Sequence, residues 1–138
     1  MEQKDYLMRE IEKISTILRY IVGKMLPSKN AKAETIHNEL AGNLFKETGM
    51  DLDTLLKSGK EFIRNELTHS KGFDAENLEM LADLFSAIAK KGTYLRNEYL
   101  TKALQIYQLV DDRTRTFSFE RIAKINQIKN SIETISNT

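Results

Sequence analysis

Apolar side chains recur every three or four residues along almost the whole chain, which is the spacing of one face of an α-helix. No stretch alternates apolar and polar residues as a half-buried strand does. The spacing therefore predicts an all-α fold. The first helix, expected to end near Gly23 and Pro27, has as its apolar positions Leu7, Ile11, Ile14, Leu18, Ile21 and Met25.

Two further segments carry the same spacing. The second should stop at Gly49, because glycine accepts the left-handed conformation of a helix C-cap. The third begins after Asp51, a candidate N-cap, and whether Gly59 breaks it stays open. The apolar face is Ala33, Ile36, Leu40 and Leu44 in the second segment, and Leu52, Leu55, Leu56, Phe62, Ile63 and Leu67 in the third.

The last three segments complete the predicted helices. Asp74 should cap the fourth helix, with Phe73 as a hydrophobic staple on Leu78, and Gly92 should end it. The fifth should end at the polar run 111–113, and the sixth should begin near Thr116 or Ser118. The expected buried positions are Leu78, Leu81, Ala82, Phe85, Ile88 and Ala89, then Leu95, Tyr99, Ala103, Ile106, Tyr107 and Val110, then Phe119, Ile122, Ile125, Ile128, Ile132 and Ile135.

The connections between these segments are short, so neighbouring helices should lie antiparallel. We expect one domain over residues 1–138, built from five to six antiparallel helices stacked as helical hairpins. A weak internal echo, residues 40–49 against 81–92, favours a repeat-like stack over a closed bundle.

Charge and composition exclude several classes of function. Lys plus Arg number 21 against 20 Asp plus Glu, and both signs are spread along the chain. Nucleic-acid binding needs a basic face that neutralises several phosphates, so we expect none. The absence of cysteine excludes thiol nucleophiles and cysteine metal sites. With neither a signal sequence nor an apolar stretch of spanning length in view, we expect a cytoplasmic protein.

Two Glu-x-x-His steps, Glu34 to His37 and Glu66 to His69, are the sharpest chemical candidate. On a helix, such a step presents a carboxylate and an imidazole on one face, and two steps help to build the di-metal site of ferritin-like bundles. Both histidines fall near the ends of their predicted helices, whereas bundle metal sites lie deep in long helices. A di-metal protein stays an alternative, and we assign no catalytic, cofactor-binding or metal residue.

No other constellation predicts catalysis, so we expect no enzyme. A glycine-flanked serine elbow and a phosphate-binding glycine loop are both missing from the sequence. Tyr and Arg anchor many protein interfaces, which makes Tyr94 and the segment 113–121 candidates for a binding surface. The first helix is another candidate, because its near-heptad spacing suits helix pairing. Its attachment to a membrane surface is a second alternative, although its acidic and basic residues offset each other.

Segments near the N-terminus and in the C-terminal half of the chain together resemble the sequence pattern of a known protein family. The opening segment 3–11, with Asp5-Tyr6-Leu7-Met8-Arg9, resembles the start of a bacterial family of small all-helical domains of unknown function. Segments 103–107 and 116–121 resemble that family's C-terminal half, while residues 28–75 match nothing in it. The step from Ala103 to Tyr107 is also similar to the alanine and aromatic pair in the second helix of tetratricopeptide repeats. The resemblance implies a helical-hairpin shape and supplies no reaction or cofactor.

Together these patterns predict a helical protein-interaction module or small scaffold whose protein partner is not identified. Stacked hairpins leave helix faces exposed at their ends, which makes a homo-oligomer a further expectation.

Overall fold

The computed structural model of the chain describes residues 2–136, with side chains for residues 3–134. Within that range every regular element is helical, which confirms the all-α prediction. None of these helices is both long and apolar enough to cross a membrane. The helices are α1 (Glu2–Lys24), α2 (Ala33–Thr48), α3 (Leu52–Lys57), α4 (Lys60–His69), α5 (Ala75–Lys90), α6 (Arg96–Thr114) and α7 (Phe119–Ser136), with a short 3-10 turn at Pro27–Lys29.

The predicted count of five to six helices is wrong, because the third segment divides into α3 and α4. Ser58 and Gly59 adopt extended backbone angles between them. Glycine is a poor helix former, and the break frees the carbonyl oxygen of Ser58. The buried ammonium of Lys102 on α6 donates a hydrogen bond to that oxygen. Leu52, Leu55 and Leu56 of α3 and Ile63 and Leu67 of α4 are buried in the core, whereas Phe62, also predicted to be buried, is 38% exposed.

α5 lies at the centre of the fold, because α1, α2 and α6 all pack against it. Its start is capped as predicted: the Asp74 carboxylate accepts a hydrogen bond of 2.9 Å from the Asn77 backbone N–H. The predicted apolar face of α5 is wholly buried and includes Leu78, Leu81, Ala82, Phe85, Ile88 and Ala89. The predicted faces of α2 and α6 are buried in the same way, except that Leu95 is only partly covered.

α1 runs parallel to α5, whereas α6 runs antiparallel to it. The Asn77 side chain at the start of α5 donates to the Ile11 carbonyl in the middle of α1, at 3.0 Å. Further along both helices, Arg19 and Val22 of α1, with Met25 directly after α1, face residues 80–87 of α5 across a shared cavity. α7 packs chiefly on α6 and so covers only one side of the α5–α6 pair.

Some predicted apolar positions are exposed because the helices extend past the core. Leu7 near the start of α1 is 44% exposed, and Phe119 at the start of α7 is 79% exposed. α6 does not stop at the polar run 111–113 but continues to Thr114, and Asp112 within the run pairs with Arg64 at the surface. The side chain of Ile135 lies outside the described residues.

Substituting Gly72 tests how closely the turn before α5 approaches α1. A Cβ at Gly72 would lie 2.7 Å from the Glu10 carbonyl oxygen and would also overlap Ile14. We expect Gly72→Ala to lower the free energy of unfolding in urea by about 1–3 kcal/mol, because backbone cannot yield as a flexible side chain does. Gly42→Ala in α2 is the control: no atom lies within 4 Å of its Cβ, and alanine should raise stability by about 0.5–1 kcal/mol. Equal stabilities of Gly72→Ala and the wild type would contradict the close approach.

Candidate functional site

An apolar groove of about 450 Å³ lies between the second halves of α1 and α5. Val22 of α1 and Met25, directly after that helix, line one side, and Met80, Leu84 and Ala87 line it from α5. The three α5 residues follow one another at steps of four and three, so they form one strip along the helix. Met80 and Ala87 on this strip are only partly buried, whereas Leu84 between them is buried.

α1 and α5 are joined by hydrogen bonds near the start of α5. There, the Asn77 side-chain amide donates to the carbonyl oxygens of Ile11, at 3.0 Å, and Gly72, at 2.8 Å. Gly72 lets the turn approach α1 closely at the same level. Further toward the C-terminal ends of the two helices, Val22 is 44% exposed and the apolar floor is open.

A second hollow, of about 370 Å³, continues the groove on the other side of α5. It lies between α5, α6 and α7, and it shares Met80 and Asp83 with the groove. Met80 and Asp83 of α5 therefore border both cavities, with α1 on one side and α7 on the other.

The charges at the rim of the groove differ in how they are balanced. Asp83 accepts a hydrogen bond from the Tyr107 hydroxyl and pairs with Lys124 at 3.1 Å. Partial burial lowers the pKa of Lys124, and the carboxylates of Asp83 and Glu79 outweigh it, so that pKa is raised overall. Arg19, on the opposite rim, makes no ion pair within residues 3–134. The rim thus offers one uncompensated positive charge.

The structure does not bring the four residues of the Glu-x-x-His steps together. Glu34 is exposed in the first turn of α2, and His69 is exposed at the end of α4, where its ring bonds to the Asn65 carbonyl at 2.7 Å. Glu66 borders a small surface depression beside α3. Among the residues that the structure describes, no three His, Cys, Asp or Glu side chains are close enough to hold a metal ion.

His37 takes part in a buried polar network instead. Its Nε2 lies 2.9 Å from the Asp53 carboxylate and its Nδ1 lies 2.5 Å from the Tyr99 hydroxyl. An ionised carboxylate only accepts hydrogen bonds, so Nε2 of His37 carries a hydrogen and donates to Asp53; in the tautomer without hydrogen on Nδ1, that atom accepts from the Tyr99 hydroxyl. The ring of Tyr94 contacts the His37 ring edge-on at 5.3 Å. The network ties α2, α3 and α6 together and fully covers Tyr99, so it has the character of a structural contact.

Three of the other residues predicted for a binding surface make contacts within the chain. Tyr94 packs against His37, and Arg113 donates to the Phe73 carbonyl at 3.0 Å. Arg121 is 4% exposed and bonds to the Asp111 carboxylate at 3.0 Å. The first helix, the other candidate surface, forms one wall of the groove.

Apolar residues beside the predicted buried faces of α1 and α5 are the sequence feature that corresponds to the groove. Met80 and Ala87 stand next to the predicted buried face of α5, and Val22 stands next to that of α1. An apolar stripe wider than the core requires indicates that a helix has a second contact to make. The apolar flanks of α1 and α5 meet because the two helices pack in parallel. This packing cannot be predicted from the sequence of either helix alone.

No protein-family model, no curated protein and no solved structure matches this chain significantly.

Removing the Tyr99 hydroxyl tests the polar network. We expect Tyr99→Phe to lower the free energy of unfolding by about 1–3 kcal/mol, because the buried Nδ1 of His37 loses its donor. Tyr6→Phe, at a 47% exposed position, should change the stability by less than about 0.5 kcal/mol. Equal urea midpoints for the two variants would contradict the network.

The two buried tyrosines also predict how stability depends on alkaline pH. Burial raises the pKa of Tyr99, with nearby Tyr94 and Asp53 adding to it, and burial with the Asp83 hydrogen bond raises the pKa of Tyr107. An unfolded tyrosine ionises near pH 10, so this stabilisation is fully present below about pH 10 and is lost as the pH rises further.

We expect urea midpoints measured from pH 8 upward to fall above about pH 10, and to fall less steeply in Tyr99→Phe/Tyr107→Phe. The same slope in the wild type and in the double variant would contradict the assignment.

Proposed function

We propose that this chain is a non-catalytic helical interaction module, and that the groove between α1 and α5 binds an amphipathic helix of a partner protein. The observation that carries the proposal is the apolar lining of the groove, in which Met80 and Ala87 of α5 are only partly buried and Val22 and Met25 lie opposite.

The shape of the groove favours a helix as its occupant. Its two walls are helices running in the same direction, and a third helix laid along them would bury apolar residues at i, i+3 or i+4, and i+7. Methionine supplies one residue of each wall, and its flexible thioether adapts to different apolar partners. Many surfaces that bind a helix are open grooves with apolar walls.

The rim charges specify the partner further. Asp83 is already balanced by Lys124, whereas Arg19 makes no ion pair within residues 3–134. A carboxylate on the flank of the bound helix, next to Arg19, would add charge complementarity and help to set the direction of binding. The partner that fits is therefore an apolar-faced helix with an acidic residue on one side.

The resemblance to small bacterial helical domains of unknown function, and the tetratricopeptide-like step from Ala103 to Tyr107, support the same class of role. We place this module in the cytoplasm and treat its helices as hairpins stacked for binding.

A helical peptide library provides the test. Amphipathic peptides with apolar residues at i, i+3 and i+7 are selected for binding to the chain, and the chain's methionine methyl groups are labelled for NMR. We expect selected peptides to shift the signals of Met25 and Met80, which line the groove, and to leave that of buried Met50 unchanged.

Met80→Glu should weaken the selected peptides by at least about tenfold, because a charge would enter the apolar floor. Phe45→Glu is the matched control, since Phe45 is 62% exposed on α2 and does not line the groove. Equal binding to Met80→Glu and Phe45→Glu, or a selection that yields no peptide shifting Met25 and Met80, would contradict the proposal.

A further inference from the structure

We propose that one end of the helix bundle binds the surface of an anionic lipid bilayer, with Phe117 and Phe119 entering the headgroup region. This inference goes beyond the proposed function, because the groove lies between the second halves of α1 and α5, whereas this end lies at their starts. It is carried by exposed aromatic side chains and unpaired cations that three separate segments bring to the same end.

This end is formed by the first turns of α1, the turn between α4 and α5, and the loop between α6 and α7. The turn lies against α1 at Gly72, and Arg113 near the end of α6 donates to the carbonyl oxygen of Phe73 in the same turn, at 3.0 Å. α7 begins shortly after α6 ends, so its first residues lie at this end as well. We call the region the aromatic end, and it comprises residues 3–9, 70–74 and 113–120.

The aromatic end carries the most exposed large apolar side chains of the described residues. Phe117 and Phe119 are 73% and 79% exposed, and their rings meet edge-on at 4.8 Å, so they project as one unit. Tyr6 and Met8, in the first turns of α1, are 47% and 61% exposed. A group of exposed apolar side chains of this size marks an interaction site.

Cations without an ion pair accompany these rings. The Lys71 ammonium lies 5.1 Å from the centre of the Tyr6 ring, and Arg113 and Arg115 are exposed on either side of the end of α6. None of these three cations makes an ion pair within residues 3–134. Each lysine or arginine held near an anionic lipid surface adds a favourable electrostatic contribution to binding.

Several carboxylates near the aromatic end are already engaged within the chain. Asp74 caps α5, and Asp111 and Asp112 pair with arginines. Among the exposed residues without an ion pair, cations outnumber carboxylates: the cations are Lys4, Arg9, Lys71, Arg113 and Arg115, and the carboxylates are Asp5, Glu76 and Glu120. The excess of positive charge is complementary to anionic lipid.

The form of this end favours a bilayer over a folded protein as its partner. The exposed rings belong to a loop and to the starts of two helices, and they project from the end of the bundle. A folded partner would need a matching pocket for each ring, whereas the lipid headgroup region adapts to side chains in any arrangement. Phenylalanine together with lysine and arginine is the combination that anchors peripheral proteins at a membrane surface.

Attachment by the aromatic end keeps the groove accessible. α1 and α5 run parallel, so their second halves lie away from the end that meets the lipid. A chain held in this way presents the groove to a helix of a partner protein near the membrane surface.

Sedimentation of the full chain with lipid vesicles tests the proposal. The chain should bind vesicles of phosphatidylcholine and phosphatidylserine in equal parts, and should bind pure phosphatidylcholine several-fold more weakly, because the cations lose their anionic partners. Phe117→Ala/Phe119→Ala should raise the lipid concentration at half-binding by about tenfold or more, because both rings stay in water. Phe45→Ala, which removes a 62% exposed ring from α2, should leave it unchanged.

Two tyrosines of α1 show which part of this helix meets the lipid. Tyr6→Ala should weaken vesicle binding several-fold, whereas Tyr20→Ala, at a 53% exposed position in the second half of α1, should not. Equal losses in the two variants would mean that α1 lies flat on the membrane, and would overturn attachment by the aromatic end.

A charge reversal tests the electrostatic part. Lys71→Glu/Arg115→Glu should weaken binding to the anionic vesicles by about tenfold or more. Lys57→Glu/Lys129→Glu, an equal charge change at exposed positions of α3 and α7 away from the aromatic end, should have a much smaller effect. Equal effects of the two double variants would contradict a specific role of this end.

Failure to bind either kind of vesicle, or binding that Phe117→Ala/Phe119→Ala leaves unchanged, would overturn the proposal. Circular dichroism confirms that every variant keeps its helices, which separates lost binding from lost folding. A chain that does not bind vesicles while its Met25 and Met80 signals respond to selected peptides would overturn this inference and leave the proposed function standing. The exposed rings would then be assigned to a protein partner. Vesicle binding without a peptide response would support this inference and overturn the proposed function.

Discussion

The antiparallel contact between α5 and α6 is the interaction on which the rest of this fold depends. Phe85 of α5 meets the ring of Tyr99 edge-on at 5.0 Å, and Tyr107 of α6 donates to Asp83 of α5. Tyr99 extends the contact to α2 through His37, and α1 packs directly on α5. Each surrounding helix is therefore positioned by a surface that this pair provides.

This dependence explains where the structure leaves apolar surface open. α1 contacts α5 closely where Gly72 and Asn77 meet it, and α7 packs chiefly on α6. The strip of α5 between them contributes Met80, Leu84 and Ala87 to a groove that no helix of the described chain fills. The candidate site is thus a consequence of having too few helices to surround the central one.

The helices and most of the core could be predicted from the sequence, because a stripe with the helical period can be buried only on one side. Leu78 to Ala89 on α5 and Ala33 to Leu44 on α2 are examples in which every predicted apolar position is buried. Phe119 and Leu7 were misassigned because periodicity does not reveal where a helix extends past its neighbours. The split at Gly59 depends on Lys102, which is distant in the sequence.

The polar contacts and the groove could not be predicted from the helical spacing of apolar residues. His37 and Tyr99 are separated by 62 positions, and His37 and Asp53 by 16, so their meeting follows from packing rather than from a local motif. The Glu-x-x-His steps share a helix face locally, but the fold directs His37 inward and leaves His69 exposed at a helix end. The groove needs parallel α1 and α5, and helix direction in space is decided by the whole chain.

Hydrogen exchange of the backbone amides tests the central position of the α5–α6 pair most directly. We expect the slowest exchange in α5 and α6, whose inner faces are fully buried, and much faster exchange over residues 3–9, which the chain's own core leaves uncovered. Amides of α1 or α7 that exchange more slowly than those of α5 and α6 throughout would show that another helix pair organises the fold.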